Sequence, residues 1–558
     1  MKRISKIKMV IGIMISLMML TGLSGCIKES LVYNTTTDVN MTAYLDKYPE
    51  QFSEFRKILD ITETASFLSA YGAYTLFLPN NDAVKTYLQE KNVASVDQVD
   101  VAELKNLVRF HLLSDTIRST AFTDGKLASL TMFGQYLITG ARNVDGITKV
   151  VINRQANVVQ SDISVGNGII HVIDHVLIPA KFSVAQLVEN NPKYSIFTQA
   201  LKATGFYNKL NILPADNPDP TTKFLTVLAE SDSVLKVAGF NTYAALKAKY
   251  SNTGNPANTL DSLYLFVAYH ILYEAKYLAD IASSQTQTTL APLEILTTSL
   301  IGQTILINDV TFLSVHELGS PIDRAASDNS ATNGVFNSVK VHYYIKLRKP
   351  VRIDWEVCDF PEIKKLTAYY KKQSYTFDFS AGQPIASMYF PGPSALSYNY
   401  NPSGNSSYAI NKDFLQFPLG PTGRSAYLEM TTPLIVRGKY KLWICWRGNG
   451  SSMVQVLFDG EPLPTLINFK DYMPAGTDAE LESQGWKYYL ALTPPVNYFP
   501  ARCVGVVDVK TTSMHTIRFQ HVKNNGNSNW VDLIQFIPIA DDQLYPRFNQ
   551  DGSLVFRP

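Results

Sequence analysis

Between residues 52 and 59, apolar residues recur at the spacing of one face of a helix. Four of them predict a helix that is buried on one face: Phe52, Phe55, Ile58 and Leu59. The short, mostly apolar run Tyr74–Pro79 is typical of a buried strand, and Asn81 is placed to cap a helix after it. Asp100, followed by Glu103, predicts the start of a further helix.

Strand patterns follow in the same region. Strand-like segments lie around residues 135–139 and 149–153, and Asn167-Gly168 precedes a run rich in β-branched residues. Asn-Gly before such a run is a strong hairpin signal.

These segments resemble the fasciclin domain family. One family motif is a strand that ends in proline before an Asn-capped helix, and Thr75 to Val84 matches it. The other is a spaced set that matches at six positions: Asn167, Gly168, His171, Asp174, Leu177 and Pro179. The resemblance implies a compact α+β domain over residues 41–180, in which a helical layer covers a β-sandwich-like wedge. Family members are adhesion and extracellular binding modules and are not generally enzymes.

The pattern returns in a degraded form, which predicts a second, divergent fasciclin-like domain over residues 181–350. Leu225–Asp232 aligns with Thr75–Asp82 at an offset of 150 residues, and Asn333-Gly334 aligns with Asn167-Gly168 at an offset of 166. The offset between the two copies increases along the chain, as expected if the second copy of the fold contains insertions. Ala229 stands where the first copy has Pro79, and Asn337 where it has His171.

Tyr269-His270 aligns with Phe110-His111 at an intermediate offset of 159. The family resemblance implies an adhesion-related role for Tyr269 and His270. The alternative is that the pair closes a packed helix end, with the imidazole satisfied inside the protein.

The N-terminus has the pattern of an export signal. Basic residues precede the apolar run Met9–Leu23, which is shorter than the roughly 20 residues that a spanning helix needs. Leu23-Ser24-Gly25-Cys26 resembles the lipobox of bacterial lipoproteins. This implies a signal peptide over 1–25, a lipid on Cys26 that anchors the protein to a membrane, and a polar tether over 26–40.

The residues after Cys26 resemble a surface-export signal. Ile27-Lys28-Glu29-Ser30 places a basic and an acidic residue just after the lipidated position, as in outer-membrane lipoproteins of SusC/SusD-type glycan uptake systems. The resemblance implies a surface-exposed outer-membrane lipoprotein with a SusC/SusD-type transporter as a candidate partner. The alternative is a lipoprotein that faces inward, to the periplasm.

The last third of the chain has the pattern of an antiparallel β-sandwich. After a segment at 351–373 that is predicted to be a linker, short alternating strands are separated by turn residues over 374–558. The predicted strands are 375–379, 440–446, 454–458, 484–492, 515–522 and 530–537.

Four of these segments, Gly438–Trp443, Val456–Gly460, His515–Phe519 and Asn529–Phe536, resemble the galactose-binding-like jelly roll of carbohydrate-binding modules. The resemblance implies that Asn529 contacts sugar and that Asp532 is structural. The predicted fold class is thus multidomain, with two α+β fasciclin-like domains followed by an all-β jelly-roll sandwich.

Aromatic residues provide the functional candidates. Four of the five tryptophans lie in the last third, and indole rings stack on the C–H faces of sugars while polar side chains orient the hydroxyl groups. The candidate ligand-binding residues are Trp446, Arg447, Trp486, Asn529 and Trp530. Strand alternation puts Trp443 and Trp446 on opposite faces, so one of them is predicted to avoid the core; the alternative for each tryptophan is a core position. Tyrosines in a Pro/Ser/Asn-rich stretch are candidates for a binding loop, with core positions as the alternative: Tyr389, Tyr398, Tyr400 and Tyr408.

The charge balance and the lack of catalytic motifs argue against two classes of function. The whole chain carries 50 basic and 48 acidic residues, but four of the basic and none of the acidic ones lie in 1–25, which leaves 46 against 48. This balance gives no support to nucleic-acid binding. The sequence contains no recognised hydrolase, zinc or phosphate-loop motif, and we predict no enzyme activity, no cofactor and no metal site.

The combined prediction is a non-catalytic cell-envelope lipoprotein that binds an extracellular ligand, preferably a glycan, and docks to surface partners. The alternative is an adhesion or structural protein whose fasciclin-like domains bind protein partners. Once Cys26 carries a lipid, three cysteines remain, of which Cys445 and Cys503 either pair or stay as buried thiols.

Overall fold

A computed structural model describes most of the chain. The described residues are 39–69, 72–144, 146–313, 315–372, 375–379, 387–393, 395–401, 403, 408–448, 450–492 and 497–558. The predicted signal peptide, the lipidation site Cys26 and nearly all of the tether lie outside them. The chain divides into one compact unit that ends at Ile178 and a second that runs from Pro179 to Pro558. None of the helices in the described ranges is both long and apolar enough to cross a membrane.

The first unit is a mixed α+β domain. Its helices are α1 (Met41–Lys47), α2 (Pro49–Ile61), α3 (Ala65–Ser69), α4 (Asn81–Glu90) and α5 (Val101–Phe110). Its strands are β1 (Tyr74–Pro79), β2 (Leu112–Leu113), β3 (Gly125–Leu130), β4 (Tyr136–Val144), β5 (Ile147–Ile152), β6 (Ala156–Val165) and β7 (Gly168–Ile173). They form one sheet in the order β2-β1-β7-β6-β5-β4-β3, in which β1 and β7 are parallel. The apolar face predicted for α2 is buried against this sheet.

The cap of α4 differs from the prediction by one residue. The Asn80 side chain, not that of Asn81, accepts a hydrogen bond from the Ala83 amide at 2.8 Å. Asn81 instead accepts from the Glu54 amide at 2.9 Å and donates to backbone oxygens at the start of α2. A side chain in the first turn can turn away from its own helix, and here tertiary contacts to α2 decide which asparagine caps.

The Asn-Gly motif joins the helices to the sheet. β6 and β7 form the predicted hairpin, with Val165 opposite Gly168. The Asn167 side chain accepts from the Met41 amide at 2.9 Å and donates to the Leu68 carbonyl at 2.6 Å. A Cβ on Gly168 would lie 2.0 Å from the carbonyl oxygen of Tyr74. Glycine therefore permits the close approach of β7 to β1, while asparagine fixes α1 and α3 to the same point.

The second unit begins with the second repeat, residues 181–350. Its helices are α6 (Val184–Glu189), α7 (Ser195–Ala203), α8 (Phe206–Lys209), α9 (Asp232–Val237), α10 (Tyr243–Tyr250), α11 (Ser262–Tyr269) and α12 (Leu278–Ser283). Its strands are β8 (Leu225–Glu230), β9 (Ile271–Tyr273), β10 (Thr286–Thr288), β11 (Ile295–Ile301), β12 (Thr304–Ile307), β13 (Val310–Phe312), β14 (Val315–Glu317), β15 (Ser320–Pro321), β16 (Asn329–Ala331) and β17 (Gly334–Val339). The sheet β16-β17-β8-β9, with β17 parallel to β8, reproduces the order β6-β7-β1-β2.

The second repeat also reproduces the Asn-Gly contacts. The Asn333 side chain accepts from the Val184 amide at 2.9 Å and donates to the Leu210 carbonyl at 2.8 Å. A Cβ on Gly334 would lie 1.7 Å from the carbonyl oxygen of Leu225. The same two residues thus perform the same task in both copies, although the surrounding sequence has diverged.

We expect Gly334→Ala to destabilise the second unit by about 1–3 kcal/mol, because the added methyl group must push β17 away from β8. The measurement is the shift of the denaturant unfolding transition of the mature chain. Gly476→Ala is the control, since a Cβ there would make only ordinary contacts at 3.5 Å or more. Equal transitions for the two variants would contradict the packing role assigned to Gly334.

Two facing sheets form the C-terminal part of the second unit. Its strands are β18 (Ile353–Glu356), β19 (Tyr375–Phe379), β20 (Met388–Tyr389), β21 (Leu396–Tyr400), β22 (Asp413–Leu419), β23 (Tyr427–Thr431), β24 (Gly438–Arg447), β25 (Met453–Phe458), β26 (Glu461–Pro462), β27 (Ile467–Asn468), β28 (Trp486–Lys487), β29 (Ala501–Val509), β30 (Thr516–Lys523), β31 (Gly526–Pro538), β32 (Arg547–Phe548) and β33 (Leu554–Val555). The short helices are α13 (Pro361–Lys364) and α14 (Asp478–Ser483).

The larger sheet has the order β19-β21-β22-β31-β24-β29-β28, and the smaller has β20-β23-β30-β25-β26. Apolar residues of both sheets share one core, as the predicted sandwich requires. β18 lies within the segment predicted to be a linker, yet it pairs with β31. Of the predicted strand 484–492, only Trp486–Lys487 is a strand.

The prediction that one tryptophan of β24 avoids the core is wrong. Trp446 faces the core between the sheets, and Trp443 faces outward, yet neither is exposed at all. The outer face is covered by a second apolar cluster that includes Tyr489, Phe499 and Phe548. Strand alternation correctly assigned the two faces, but it could not show that the chain folds back over the outer one.

Candidate functional site

An arginine and a tryptophan lie opposite each other where β24 ends. Arg447 and Trp530 are paired in the register of β24 and β31. The guanidinium carbon of Arg447 lies 4.0 Å from the centroid of the Trp530 ring, and the Phe414 ring lies 5.4 Å from that of Trp530. Both members of the pair are partly exposed. This cation–π contact holds the guanidinium against the indole face.

Each member of the pair has a donor without an acceptor. Arg447 Nε and Trp530 Nε1 are enclosed and have no hydrogen-bond partner among the described residues. Burial lowers the pKa of Arg447, against the attraction of Tyr498 and Tyr472. An enclosed N–H group without an acceptor is costly, so the pair is chemically prepared to receive an oxygen atom from a ligand.

Tyrosines border the pair. The ring of Tyr498 lies 6.0 Å from that of Tyr408, and both are partly exposed. The Gly448 amide donates to the Tyr498 carbonyl at 2.7 Å, and a Cβ on Gly448 would lie 2.8 Å from a ring carbon of Tyr472. Tyr408, a sequence candidate, thus lies beside Tyr498, and Tyr472 lies next to the strand end at Gly448; the sequence pattern indicated neither Tyr498 nor Tyr472. Arg447, Trp530, Tyr408, Tyr472 and Tyr498 are called the arginine–aromatic site below.

The other sequence candidates in the sandwich have different positions. Trp446 is fully buried, and its ring lies 5.9 Å from that of Trp486, which is partly exposed and lies beneath Arg502 at 4.5 Å. Asn529 is also fully buried: its side chain donates to the Phe417 carbonyl at 3.0 Å and accepts from the Ser452 amide at 3.2 Å. In this conformation Trp446 and Asn529 offer no surface to a ligand, and their sugar-contacting role remains a prediction.

Tyr269 and His270 also lie inside the protein. Tyr269 is 5% exposed and His270 is 0% exposed. The Tyr269 hydroxyl donates to the Ile295 carbonyl at 3.1 Å and accepts from Asn308 at 3.0 Å. The pair therefore does not form a contact surface in this conformation, which favours the packed helix end over a direct adhesion role.

The two equivalent histidines have different hydrogen-bond partners. In the first unit, His111 Nδ1 donates to the Leu107 carbonyl at 2.8 Å, while Nε2 accepts from the Leu177 amide at 2.9 Å. This ring is neutral, and burial lowers its pKa to about 4, against the hydrogen bond to Leu107. In the second repeat, His270 Nδ1 faces the Phe266 carbonyl at 2.8 Å and Nε2 faces a Glu230 carboxylate oxygen at 3.0 Å. A carboxylate oxygen thus stands where the first unit has a backbone amide donor.

Glu230 is the centre of a buried polar network. Its other oxygen accepts from His342 Nδ1 at 2.7 Å, and the Tyr343 amide donates to the first oxygen at 2.9 Å. His342 Nε2 is hydrogen-bonded to the Tyr250 hydroxyl at 2.8 Å. Burial opposes ionisation of Glu230, but the hydrogen bonds from the two histidines outweigh it and hold the carboxyl pKa below its ordinary value. Glu230, His342 and Tyr250 were not sequence candidates.

The repeat alignment contained a signal for this network. Glu230 occupies the position of Asn80, which caps a helix in the first unit. In the second repeat Ser231 caps α9 instead, accepting from the Val234 amide at 3.3 Å. An acidic residue at a former cap position therefore indicated that the side chain had acquired a different, inward-facing partner.

A second buried cluster in the sandwich consists of acids. Oxygen or sulfur atoms of Glu356, Cys358 and Asp413 all lie within 4.8 Å of one another, and Asp532 adds a further repelling carboxylate. One oxygen of each acid, Glu356 Oε2, Asp413 Oδ1 and Asp532 Oδ1, is buried without a hydrogen-bond partner among the described residues. Burial raises the pKa of Asp413 to about 7 despite the attraction of Lys371, and burial also raises those of Glu356 and Asp532.

Two of these oxygens lie close enough to share a hard divalent cation, because ligand atoms of Glu356 and Asp413 are within 4.8 Å of each other. Neighbouring buried carboxylates cannot all ionise without a counter-charge, and carboxylate oxygens are the ligands that Ca²⁺ prefers. Burial raises the pKa of the Cys358 thiol, which disfavours thiolate ligation. The sequence pattern predicted no metal site, because the residues of this cluster come from three separate segments of the chain and have no motif spacing.

The three cysteines within the described ranges are free thiols. Cys445 and Cys503 lie on neighbouring strands but do not pair, since Cys445 is opposite Ala501 and Cys503 is opposite Trp443. Burial raises the pKa of both thiols, which makes them poorly reactive.

Comparison with known proteins identifies the first unit. Residues 50–179 match the family model of the fasciclin domain. The chain is 29% identical over 153 residues to Protein sll1483 of Synechocystis, which covers 27% of this chain and 81% of that protein. It is 29% identical to human stabilin-1 over 131 residues and to human periostin over 146 residues, but it covers only 5% and 17% of their lengths.

Two solved structures resemble parts of this chain, both with low TM-scores. A FAS1 domain pair from the insect cell adhesion molecule Fasciclin I has a TM-score of 0.22 and 15% identity, covering 52% of this chain and 96% of that one. A family 35 carbohydrate-binding module from Clostridium thermocellum has a TM-score of 0.15 and 11% identity, covering 34% and 98%. The match over residues 50–179 shows that the first unit contains a fasciclin domain.

Proposed function

We propose that this protein is a non-catalytic lipoprotein of the cell envelope whose C-terminal sandwich binds an extracellular glycan. The observation that carries the proposal is the arginine–aromatic site, where Arg447 Nε and Trp530 Nε1 lack acceptors beside partly exposed aromatic rings. Sugar hydroxyl groups supply acceptor oxygens, and sugar C–H faces stack on aromatic rings. A glycan satisfies both requirements at once.

The remaining domains act as spacer and docking modules in this proposal. The fasciclin domain and the second repeat, taken as a divergent fasciclin-like domain, hold the sandwich away from a membrane to which a lipid on Cys26 is attached. Support for the lipid, for the outer membrane and for a SusC/SusD-type partner comes from the N-terminal sequence pattern. The mechanism is capture of the glycan and delivery to a neighbouring transporter or enzyme.

A structural cation is a further part of the proposal. Glu356 and Asp413 would hold Ca²⁺ through their unpartnered oxygens, and the nearby Asp532 carboxylate would add negative charge. These residues come from β18, β22 and β31, so the cation would neutralise the cluster and join β18 to the sheet beside it. Its role is stability of the sandwich, with no chemical step assigned to it.

We expect Arg447→Ala and Trp530→Ala each to weaken glycan binding about tenfold or more. A hydrogen bond to a charged group is worth about 1.5–3 kcal/mol, and each 1.4 kcal/mol is a factor of ten in affinity. The measurement is retardation of the mature chain in affinity gels of neutral polysaccharides, followed by titration with the polysaccharide that retards it.

Arg518→Ala is the matched control. Arg518 also lies over an aromatic ring, that of Tyr427 at 4.2 Å, but its Nε donates to Glu429 at 2.8 Å. Unchanged binding by the two site variants would contradict the location of the site. No retardation of the wild-type chain, together with capture of a membrane protein by it, would favour the adhesion alternative.

A further inference from the structure

The second unit contains a large cleft between the second repeat and the sandwich. It encloses about 1030 Å³, at the upper end of the roughly 300–1,000 Å³ typical of small-molecule sites. One wall is formed by β11 and β13 of the second repeat, and the other by β18, the start of α13 and the end of β23. No residue of the arginine–aromatic site lines either wall of this cleft.

Hydroxyl groups dominate the polar surface of the cleft. Nine serine and threonine residues line it, including Thr297, Thr298 and Ser299 of β11. The hydroxyl oxygens of Thr297 and Ser299 are buried and have no hydrogen-bond partner among the described residues. A hydroxyl group both donates and accepts, so these two side chains can bond to ligand hydroxyl groups of either orientation.

The charged residues that line the cleft indicate which ligands it can bind. Among the described residues that line it, four are acidic and none is lysine or arginine. Three of the acids are already engaged: Asp354 with Arg352 at 2.9 Å, Asp359 with Lys364 at 3.0 Å, and Asp309 with His316 at 3.1 Å. An anionic ligand would therefore meet carboxylates and no basic side chain in the described lining, and a cation held by Glu356 would offset only part of that charge, which disfavours phosphorylated, sulfated and uronic-acid ligands.

Apolar rings complete the lining. The rings of Trp355 and Phe360 are 5.6 Å apart and nearly perpendicular, and each residue retains a small exposed edge. Phe312 on the opposite wall is partly exposed, and the guanidinium carbon of Arg348 lies 4.8 Å from its ring centroid, which leaves the other ring face for a ligand. Rings on both walls, with hydroxyl groups between them, suit a ligand that has alternating C–H faces and hydroxyl edges.

We propose that this cleft binds an uncharged oligosaccharide of several sugar units. The inference deepens the proposed function, on which it rests for the ligand class, by adding a second and separate glycan site. The volume exceeds the needs of one sugar, the hydroxyl lining matches a polyhydroxylated chain, and the lack of lysine and arginine among the described lining residues disfavours acidic glycans.

The test uses calorimetric titration of the mature chain, made soluble by Cys26→Ser. The neutral probes are cellohexaose, maltohexaose and mannohexaose; hexagalacturonate is the anionic probe and hexalysine the cationic peptide probe. Thr311→Trp fills the cleft from an exposed position on β13, and Ser284→Trp fills it from the end of α12. Thr304→Trp, also exposed but on β12 outside the cleft, is the control.

We expect one neutral hexasaccharide to bind at two sites, the cleft and the arginine–aromatic site. Thr311→Trp and Ser284→Trp should each abolish binding in the cleft and leave the other site intact. Thr304→Trp should leave both sites intact. Loss of all binding in Trp530→Ala, with no effect of either cleft variant, would overturn this inference but support the proposed function. The reverse pattern would support the cleft and overturn the arginine–aromatic site. Binding of hexagalacturonate or hexalysine that the cleft variants abolish would overturn the ligand class, and no binding of any neutral probe would overturn both proposals.

Discussion

Glu230→Ala is expected to lower the free energy of unfolding of the second unit by about 3–5 kcal/mol, because it removes a buried carboxylate that two histidines face, His270 and His342. The Nε2 atom of His270 loses its partner, while Nδ1 still faces the Phe266 carbonyl. His342 and the Tyr343 amide lose their acceptor in the same variant. The measurement is denaturant unfolding of the mature chain at neutral pH.

Glu189→Ala is the control for this variant. Glu189 also forms an ion pair, with Lys202, but both side chains are at least one-third exposed, and such surface pairs contribute about 0–1 kcal/mol. A double variant, Glu230→Ala with His270→Phe, removes the imidazole that has lost its partner and should recover part of the loss. Equal stability of Glu230→Ala and Glu189→Ala would show that the network is not an ion pair.

Calcium is expected to stabilise the sandwich by about 3–4 kcal/mol when it is present at 100 to 1,000 times its dissociation constant. The expected sign of the pH dependence is opposite to that of an ordinary ion pair. Without a cation, the pKa of Asp413 is raised to about 7 in the folded chain, against about 4 in the unfolded chain. Folding then takes up protons, so the stability contributed by the protonated cluster is complete below pH 4 and is lost as the pH rises towards 7. Calcium should restore it at neutral pH.

The measurement is thermal unfolding between pH 4 and 8, in chelator and in millimolar calcium. Asp413→Asn removes one ligand, and it should abolish the calcium effect while reducing the loss of stability with rising pH in chelator. Cys358→Ser is the matched control inside the cluster and should keep the calcium effect. Stabilisation by zinc but not by calcium, abolished in Cys358→Ser, would contradict the oxygen-ligand assignment.

Local sequence features anticipated much of the architecture. The helical spacing of Phe52 and Phe55, the cap at Asp100 and the Asn-Gly hairpin all appear in the first unit. These features depend on contacts between residues that are close in the chain, or on a glycine where two strands come too close together for a Cβ atom. The same reasoning chose the wrong asparagine for the cap of α4, because the competing partner of Asn81 lies on α2, about 30 residues away.

The candidate site was anticipated only in part. Arg447 and Trp530 were identified from strand alternation and composition, and they lie together in the register of β24 and β31. Tyr472 and Tyr498 were missed, since they reach the site from loops whose paths no periodic pattern describes. Trp446 and Asn529 were candidates of the same kind, but their side chains point into the core and into a backbone hydrogen-bond network.

The sequence by itself determined the fasciclin domain, the repeat that follows it and the strand-rich character of the last third, because each depends on local periodicity or on motif residues with one mechanical task. Only the tertiary structure decided which polar residues meet. Glu230 and His342 are 112 residues apart, and Glu356 and Asp532 are 176 apart, so their charges and protonation states exist only where the folded chain encloses them together. Burial, which decides the protonation of these groups, is a property of the folded chain and cannot be read from spacing along it.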